Sequence, residues 1–331
     1  MPNLIDIPQF NVGTEGPLGI VRQAPERLAS LMRLGQKQYG TTLLRIGDRL
    51  GRTWLKRNVT PYAETMEEVA SHTPAPGAIS LNLSYDFGCT TATGPDPIGP
   101  GNRMLRTLDW PLDGLGRELA VAHHQGSAGP YYDVTWPGFV GVVTAMAPER
   151  FSVAINQPPA RRHSPLFLVD AVINRRLAWR QTAIPPVHLL RRVCETCSTF
   201  EEARHMLTTT PISIPAFFTI SGLEPNEGCV IERTETDARV HSAPFSISNH
   251  WLDVDMPGWD RGNDSLGRLL QMNDLRDGAT NDFNWVKPPI LNETTRLAVV
   301  ANAAQGALHV RGYEANASGS AEPVTTDFRI Q

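Results

Sequence analysis

Basic excess is missing from this chain. Its 30 Lys and Arg stand against 34 Asp and Glu, a formal net charge of -4, with basic doublets such as Arg161-Arg162 and Arg191-Arg192 scattered along the chain. Nothing in the charge recommends nucleic acid as a partner. Long apolar runs are missing too. The most apolar stretches, 139–147 and 166–173, fall far short of the ~18 to 20 residues that cross a bilayer as a helix, so no membrane span is expected. Cysteine is scarce, with four residues. Cys194 and Cys197 form a Cys-x-x-Cys pair, but a zinc site asks for two further ligands and no second pair exists. That pair reads as core residues of a helix over about 186–206, and Cys229 as a core residue of a strand. Residues 1–8 show no basic region followed by an apolar run, so no secretory signal is read there. Asn-x-Ser/Thr sites at Asn58, Asn82, Asn263, Asn292 and Asn316 therefore carry little weight, and Asn82 falls in a strand expected to be buried. The expectation is a cytoplasmic protein with reduced thiols, working near neutral pH. Repeats and low-complexity tracts are absent as well.

What is present suits a folded chain. In 331 residues, 41% hydrophobic and 19% charged, there is material for one large core. A strand is read near 10–12, then helical periodicity over 25–56, where Leu28, Leu31, Leu34, Leu43, Leu44 and Leu50 recur. A second helix covers 62–71. Strands follow around Thr107 and at 119–123, 131–136, 138–146 and 150–155, then helices at 166–174 and 187–207. Strands return at 216–221, 229–234 and 238–242, a helix at 265–273, and a last hairpin pairs 295–302 with 307–313 about Gln305-Gly306. Two long blocks of strands with helices between them predict two antiparallel sheets packed between helical layers. The fold class is α+β, a four-layer αββα sandwich. No clear linker divides the chain; 74–77 and 94–102 read as loops.

The chemistry centres on Cys89. It follows Gly88 and precedes Thr90 and Thr91, with Arg106 and Asp109 a short way on. A thiol has a reference pKa of about 8.5 and needs a base at neutral pH, a task that a free α-amino group of about 7.7 to 8 suits. An internal cysteine has no such amine. Cleavage at Gly88-Cys89 would create one, with Gly88 as the uncrowded carbonyl that the thiol attacks to form a thioester. Arg106 is expected to lower the thiol's pKa, and Asp109 to orient the new amine. From spacing alone, a buried small hydrophobe and a surface ion pair are the plainer readings.

A resemblance weighs against those plainer readings. Cys89-Thr90-Thr91 and Arg106-Thr107-Leu108-Asp109 resemble the Cys-Thr-Ser start and the Arg-Asn-Leu/Met-Asp motif of acid ceramidase and N-acylethanolamine acid amidase. Pro8 to Val12 is similar to their opening strand, and Leu81 to Tyr85 to their last strand before the cut. Trp136 to Gly141, Phe151 to Asn156, Phe200 to Ala203, Pro215 to Phe218 and Glu227 to Ile231 follow in the same order. The resemblance implies an N-terminal-nucleophile hydrolase of the choloylglycine hydrolase-like group. After self-cleavage, 1–88 and 89–331 would be two subunits of one αββα domain. It further implies site roles for Asn249, in Ser248-Asn249-His250-Trp251, and for the strand-end Asn156, as donors stabilising a tetrahedral oxyanion. Arg268 is implied as a second active-site arginine, with Arg261 as its rival. One departure stands out: Asn156-Gln157-Pro158 replaces a segment in which those amidases carry a glutamate.

The implied reaction is cysteine-dependent hydrolysis of the linear amide bond of an N-acyl amide, fatty-acyl or ceramide-like, with no cofactor and no metal. Trp110, Trp136, Phe139 and Trp251 are candidates to line the acyl pocket. Two alternatives share the chain. An amine outcompeting water would make an acyltransferase, and a chain that is never cut would be an inactive lipid or amide-binding homologue.

Overall fold

Five helices bring the chain to the expected cut. The computed structural model describes residues 4–330. Strand β1 (Gln9–Gly13) leads into α1 (Pro17–Gln23), α2 (Pro25–Tyr39), α3 (Thr41–Leu55) and α4 (Ala63–Ser71). The periodicity over 25–56 belongs to two helices rather than one, because Gly40 at φ 80° turns the chain between α2 and α3. Leu28, Leu31 and Leu44 are buried, whereas Leu43 and Leu50 face solvent. The strand expected over 81–85 does not form. A short helix, α5 (Ala78–Asn82), stands there instead. Asp48, buried on α3, accepts from the Gly77 and Ser80 amides at 2.8 Å and from Ser80 Oγ at 2.9 Å, and so caps the start of α5 from a distant part of the chain. Asn82 ends that helix. Its Nδ2 donates to Ala78 O and Gly138 O at 2.8 Å, and its Oδ1 accepts from Val140 N at 2.7 Å.

Strands then dominate: β2 (Gly88–Pro95), β3 (Asn102–Asp109), β4 (Ala120–Gly126), β5 (Gly129–Thr135), β6 (Thr144–Ala147), β7 (Phe151–Asn156) and the short β8 (Ala160–Arg161). Of the single strand expected over 138–146, only the end forms, because Gly138 at φ 85° bends the chain away. Helices α6 (Phe167–Arg180), α7 (Pro186–Thr196) and α8 (Phe200–Thr209) come next. The helix expected over 187–207 is divided by a reciprocal cap. Glu202 N donates to Thr199 Oγ1 (3.2 Å) while Ser198 N donates to Glu202 Oε2 (2.6 Å), restarting the chain as α8. The remainder is β9 (Ala216–Ser221), β10 (Gly228–Arg233), β11 (Ala238–Ser242), β12 (Phe245–Ile247), β13 (Gly258–Trp259), α9 (Ser265–Leu275), β14 (Thr295–Asn302), β15 (Ala307–Ala315), β16 (Ala321–Pro323) and β17 (Phe328–Ile330).

One sheet has eight strands in the order β1-β4-β5-β6-β7-β9-β10-β11. The other runs β12-β2-β3-β14-β15-β16, with β17 also on β15, and β8 pairs with β13 separately. Among the strands described, pairing is antiparallel except between β1 and β4, which are parallel. Cross-strand partners fix the faces. Asn156 lies opposite Phe217 and Ala154 opposite Thr219, and Thr91 Oγ1 of the second sheet donates to Asn156 Oδ1 at 2.6 Å, so this face meets the other sheet. Ile155, Val153, Phe218 and Ile220 point the opposite way, toward α7 and α8, whose Val187, Leu190 and Leu207 share their core. Beyond the second sheet, Ala92, Leu105, Ala298 and Val300 pack with Met272 of α9 and with Phe283 and Trp285. The layers run helix, sheet, sheet, helix, the αββα sandwich.

Two predictions follow from this packing. Replacing Asn82 by Ala strands three buried backbone groups and is expected to remove about 3 kcal/mol from stability in urea unfolding. His188 of α7, buried against Tyr62 (ring centroids 5.4 Å apart) and bonded through Nδ1 to Thr60 Oγ1 at 2.8 Å, is pushed down to about 3 by burial, with Arg191 adding to the effect. The unfolded chain takes up a proton at about 6.5 that the folded chain refuses. Stability attributable to His188 is therefore present above pH 6.5 and lost as pH falls toward 3, by up to about 1.4 kcal/mol per pH unit. His188→Gln is expected to flatten that slope in unfolding curves taken from pH 7 to pH 4.5.

Candidate active site

On a β-strand, residues three apart point to opposite faces. This separates Arg106 from Asp109 on β3. Thr91 of β2 lies opposite Arg106 and Cys89 opposite Leu108, so Cys89 and Arg106 share the face between the sheets, while Gly88 lies opposite Asp109 on the other face. Arg106 Nη2 donates to Cys89 Sγ at 3.1 Å and its Nη1 donates to Val143 O. Cys89, Arg106 and Asp109 are all buried.

The opposite side is closed by α9. Asp264 caps this helix through its side chain, with Gly267 N donating to Oδ1 at 3.0 Å, and Arg268 reaches back to β2. Arg268 Nη1 donates to Cys89 O at 2.6 Å and to Thr90 Oγ1 at 2.9 Å, and its Nη2 to Asn249 Oδ1 at 2.9 Å. It also stands 3.6 Å from Asp109 Oδ2. Asn249 Oδ1 accepts from Cys89 N at 2.8 Å, and its Nδ2 donates to Gln157 O at 2.7 Å. Cys89 is thus held at its nitrogen, its carbonyl and its sulfur by three different side chains. The backbone is close-packed at Gly88, where a Cβ would lie 3.2 Å from the Gly262 Cα.

Five of the six candidate residues, Cys89, Arg106, Asp109, Asn249 and Arg268, meet directly. Asn156 stands one step back. Its Nδ2 donates to Ile247 O and Ser248 O at 3.2 and 3.1 Å, so it braces the segment carrying Asn249 instead of aiming at the thiol. The rival Arg261 bonds Pro158 O, Tyr85 O and the Asp86 carboxylate, holding the residues just before Gly88. Sequence reasoning missed Thr295 and Asn292, whose Oγ1 and Nδ2 bond Asp109 at 2.9 and 3.0 Å, and Ser265, whose Oγ accepts from Asn249 N at 2.9 Å. None of the three lies near Cys89 in sequence, and no local pattern marks them. Of the aromatics, Trp110 and Trp136 are 6.0 Å apart, Phe139 is 6.4 Å from Trp136, and Phe87 packs 5.4 Å from Trp110. Trp251 belongs elsewhere, edge-on to Phe217 in a separate cluster with Val230 and Ile247.

Electrostatics correct one expectation. Burial pushes the Cys89 thiol up to about 11; Arg106 pulls it down, Asp109 adds to the rise and Arg268 opposes it. Arg106 acts in the expected direction, but desolvation outweighs it. In the intact chain the thiol is neutral. Burial also holds the Arg106 and Arg261 guanidinium groups below their ordinary value. Cys194 and Cys197 are free and buried, as expected of core residues, and Arg150 Nη1 bonds both of their carbonyls.

No protein-family model matches the chain. Among individual proteins, acid ceramidase of Macaca fascicularis is 26% identical over 196 residues, covering 54% of this chain and 48% of that protein. The chain spans about half the length of the acid ceramidases it matches. N-acylethanolamine-hydrolyzing acid amidase of Caenorhabditis elegans is 22% identical over 245 residues, 68% of this chain and 66% of that protein. A solved structure of the C. elegans N-acylethanolamine-hydrolyzing acid amidase ortholog superposes with a TM-score of 0.50 at 19% identity, over 65% of this chain and 93% of that one. The fold is that of the N-terminal-nucleophile hydrolases. Within that class the chain is similar in sequence to acid ceramidase and to N-acylethanolamine-hydrolyzing acid amidase, at 26% and 22% identity.

All four cysteines are buried, and burial raises the pKa of each thiol. A thiol-reactive dye at pH 7.5 is expected to find no fast-reacting thiol in the intact native chain and four after unfolding in denaturant.

Proposed function

We propose that this protein is a cysteine amidohydrolase that activates itself by cutting Gly88-Cys89 and then cleaves N-acyl amides through a thioester on Cys89. The observation that carries this reading is the pinning of Cys89: Asn249 on its nitrogen at 2.8 Å, Arg268 on its carbonyl at 2.6 Å and Arg106 on its sulfur at 3.1 Å. A buried core cysteine needs none of these partners. In the self-cleavage step, Sγ bonds the Gly88 carbonyl carbon, the Gly88-Cys89 C–N bond breaks, and the thiol proton passes to the Cys89 nitrogen. Water then hydrolyses the thioester, leaving a carboxylate on Gly88 and a free amine on Cys89. Asn249 Oδ1 already accepts from that nitrogen, so the amine is born oriented.

In the second reaction the amine takes the thiol proton and the sulfur adds to the substrate amide carbon. The amine half leaves with the proton, and water releases the acid from the thioester. The acyl chain would lie along Trp110, Trp136 and Phe139, where Phe87 packs in the intact chain; release of the 83–88 end would vacate that space. The pieces 1–88 and 89–331 would stay together as a heterodimer, since β1 of the first pairs with β4 of the second along Gln9–Gly13. Four free thiols and a buried His188 that resists protonation support a reducing, near-neutral setting, the cytoplasm.

Intact-mass measurement over time and pH tests the reading. Wild type is expected to give two fragments meeting at Gly88-Cys89, and Cys89→Ala is expected to stay whole. A wild type that stays whole under every condition would sink self-activation and favour the amide-binding homologue, for which the lack of a glutamate in Asn156-Gln157-Pro158 would be the cause.

A further inference from the structure

The Asn249 side chain is held by Cys89 N, Gln157 O and Arg268, and its backbone is held by a different set of groups. The Asn249 amide donates to Ser265 Oγ at 2.9 Å, and Ser265 is the first residue of α9. His250 brings its Nδ1 to 2.8 Å from the same oxygen, and Ser248 brings its Oγ to 2.9 Å from it. Three consecutive residues, 248–250, therefore converge on one hydroxyl.

Counting protons in this cluster fixes the state of the imidazole. A hydroxyl has one proton to give and two lone pairs. The proton of Ser248 goes to Ser265 O, 2.7 Å away. With a bare Nδ1, the single proton of Ser265 would serve the ring, and the two hydroxyl oxygens would face each other at 2.9 Å with no proton between them. With a proton on Nδ1 every contact is satisfied in one direction. Nδ1–H donates to Ser265 Oγ, Ser265 O–H to Ser248 Oγ, and Ser248 O–H to Ser265 O. Ser265 Oγ then accepts twice, from His250 and from the Asn249 amide, and its bonding capacity is full. The ring gives this bond without carrying charge. Burial holds the His250 pKa below its ordinary value, Arg268 lowers it further, and Glu232 and Asp260 oppose the fall. A lysine or arginine could offer the same bond only as a cation, at the positive end of the α9 dipole.

We propose that His250 is a positioning residue of the Cys89 site. As its Nδ1–H tautomer it clamps Ser265, and through Ser265 the backbone from which Asn249 reaches the Cys89 nitrogen. Asn249 Oδ1 accepts from both Cys89 N and Arg268 Nη2, so a shift of its backbone is felt at both. The clamp also joins two layers: Asn156 of the first sheet donates to Ser248 O at 3.1 Å, while Ser265 belongs to the helix that carries Arg268. The catalytic consequence rests on the amidase reading, whereas the tautomer and the clamp are properties of the folded chain.

Two variants separate the donor from the bulk of the ring. In His250→Asn the side-chain amide can place an N–H where Nδ1 stood, and His250→Ala places nothing there. The first measurement is amide hydrogen exchange at Asn249 in the full-length Cys89→Ala chain. His250→Ala is expected to speed that exchange about tenfold, the worth of one buried hydrogen bond, and His250→Asn to keep it within about threefold of the parent. Nitrogen-15 NMR of the parent at pH 7.5 is expected to show a protonated Nδ1 and a bare Nε2. With Cys89 present, the cut at Gly88-Cys89 followed by intact mass is expected to slow about tenfold in His250→Ala and to recover in His250→Asn. A bare Nδ1, exchange untouched by His250→Ala, or an Asn variant no better than the Ala variant overturns the proposal. So does a His250→Ala chain that cuts at the wild-type rate. A wild type that never cuts removes the amidase reading alone, and exchange and tautomer then decide the clamp.

Discussion

The alternation of side chains on two neighbouring strands governs the site. Because β2 and β3 are paired with Cys89 opposite Leu108, Arg106 must share the thiol's face and Asp109 must not. An arginine and a carboxylate three residues apart look like one device in the sequence and become two in the fold. Arg106 serves the sulfur in the layer between the sheets. Asp109 serves the outer face, where Arg268, Thr295 and Asn292 gather on it. The sandwich architecture is what gives each face its own set of partners: the second sheet lies under one, α9 over the other.

That division has an electrostatic result. The thiol lies where water is excluded and is held neutral at about 11 despite two nearby guanidinium groups. The backbone of the same residue, by contrast, is already engaged by polar side chains. A peptide nitrogen that accepts no proton in the intact chain would become a base once freed, within reach of an acceptor that is in place beforehand. Preparation before the event, rather than rearrangement after it, is how buried polar groups avoid a desolvation penalty at the moment of chemistry.

Much of this was legible in the sequence, for reasons that differ by element. Strands β9, β10, β11, β14 and β15 and the start of α9 are marked by local composition, and their expected bounds agree with the structure to within about a turn. Helix α5 was not legible, because its cap comes from Asp48, some thirty positions upstream, and no window over 81–85 contains that information. The breaks at Gly40 and Thr199 were visible as residues but were overruled by the apolar periodicity running through them. At the site, motifs near Cys89 carried Arg106 and Asp109, and resemblance carried Asn249 and Arg268. Thr295 and Asn292 follow only from the adjacency of β3 and β14.

If the chain is cut at Gly88-Cys89, the parallel pairing of β1 with β4 would do more than hold two pieces together. Such a cut would break the covalent connection while β1 stayed paired with β4 and packed against α1. Folding would then be a one-time event of the uncut chain, in which β1 finds β4 as an intramolecular partner. Reassembly after unfolding would be a bimolecular encounter, slower as the protein is diluted. The mature protein would owe its lifetime to the height of its unfolding barrier, a memory of how it was made rather than a balance it can restore.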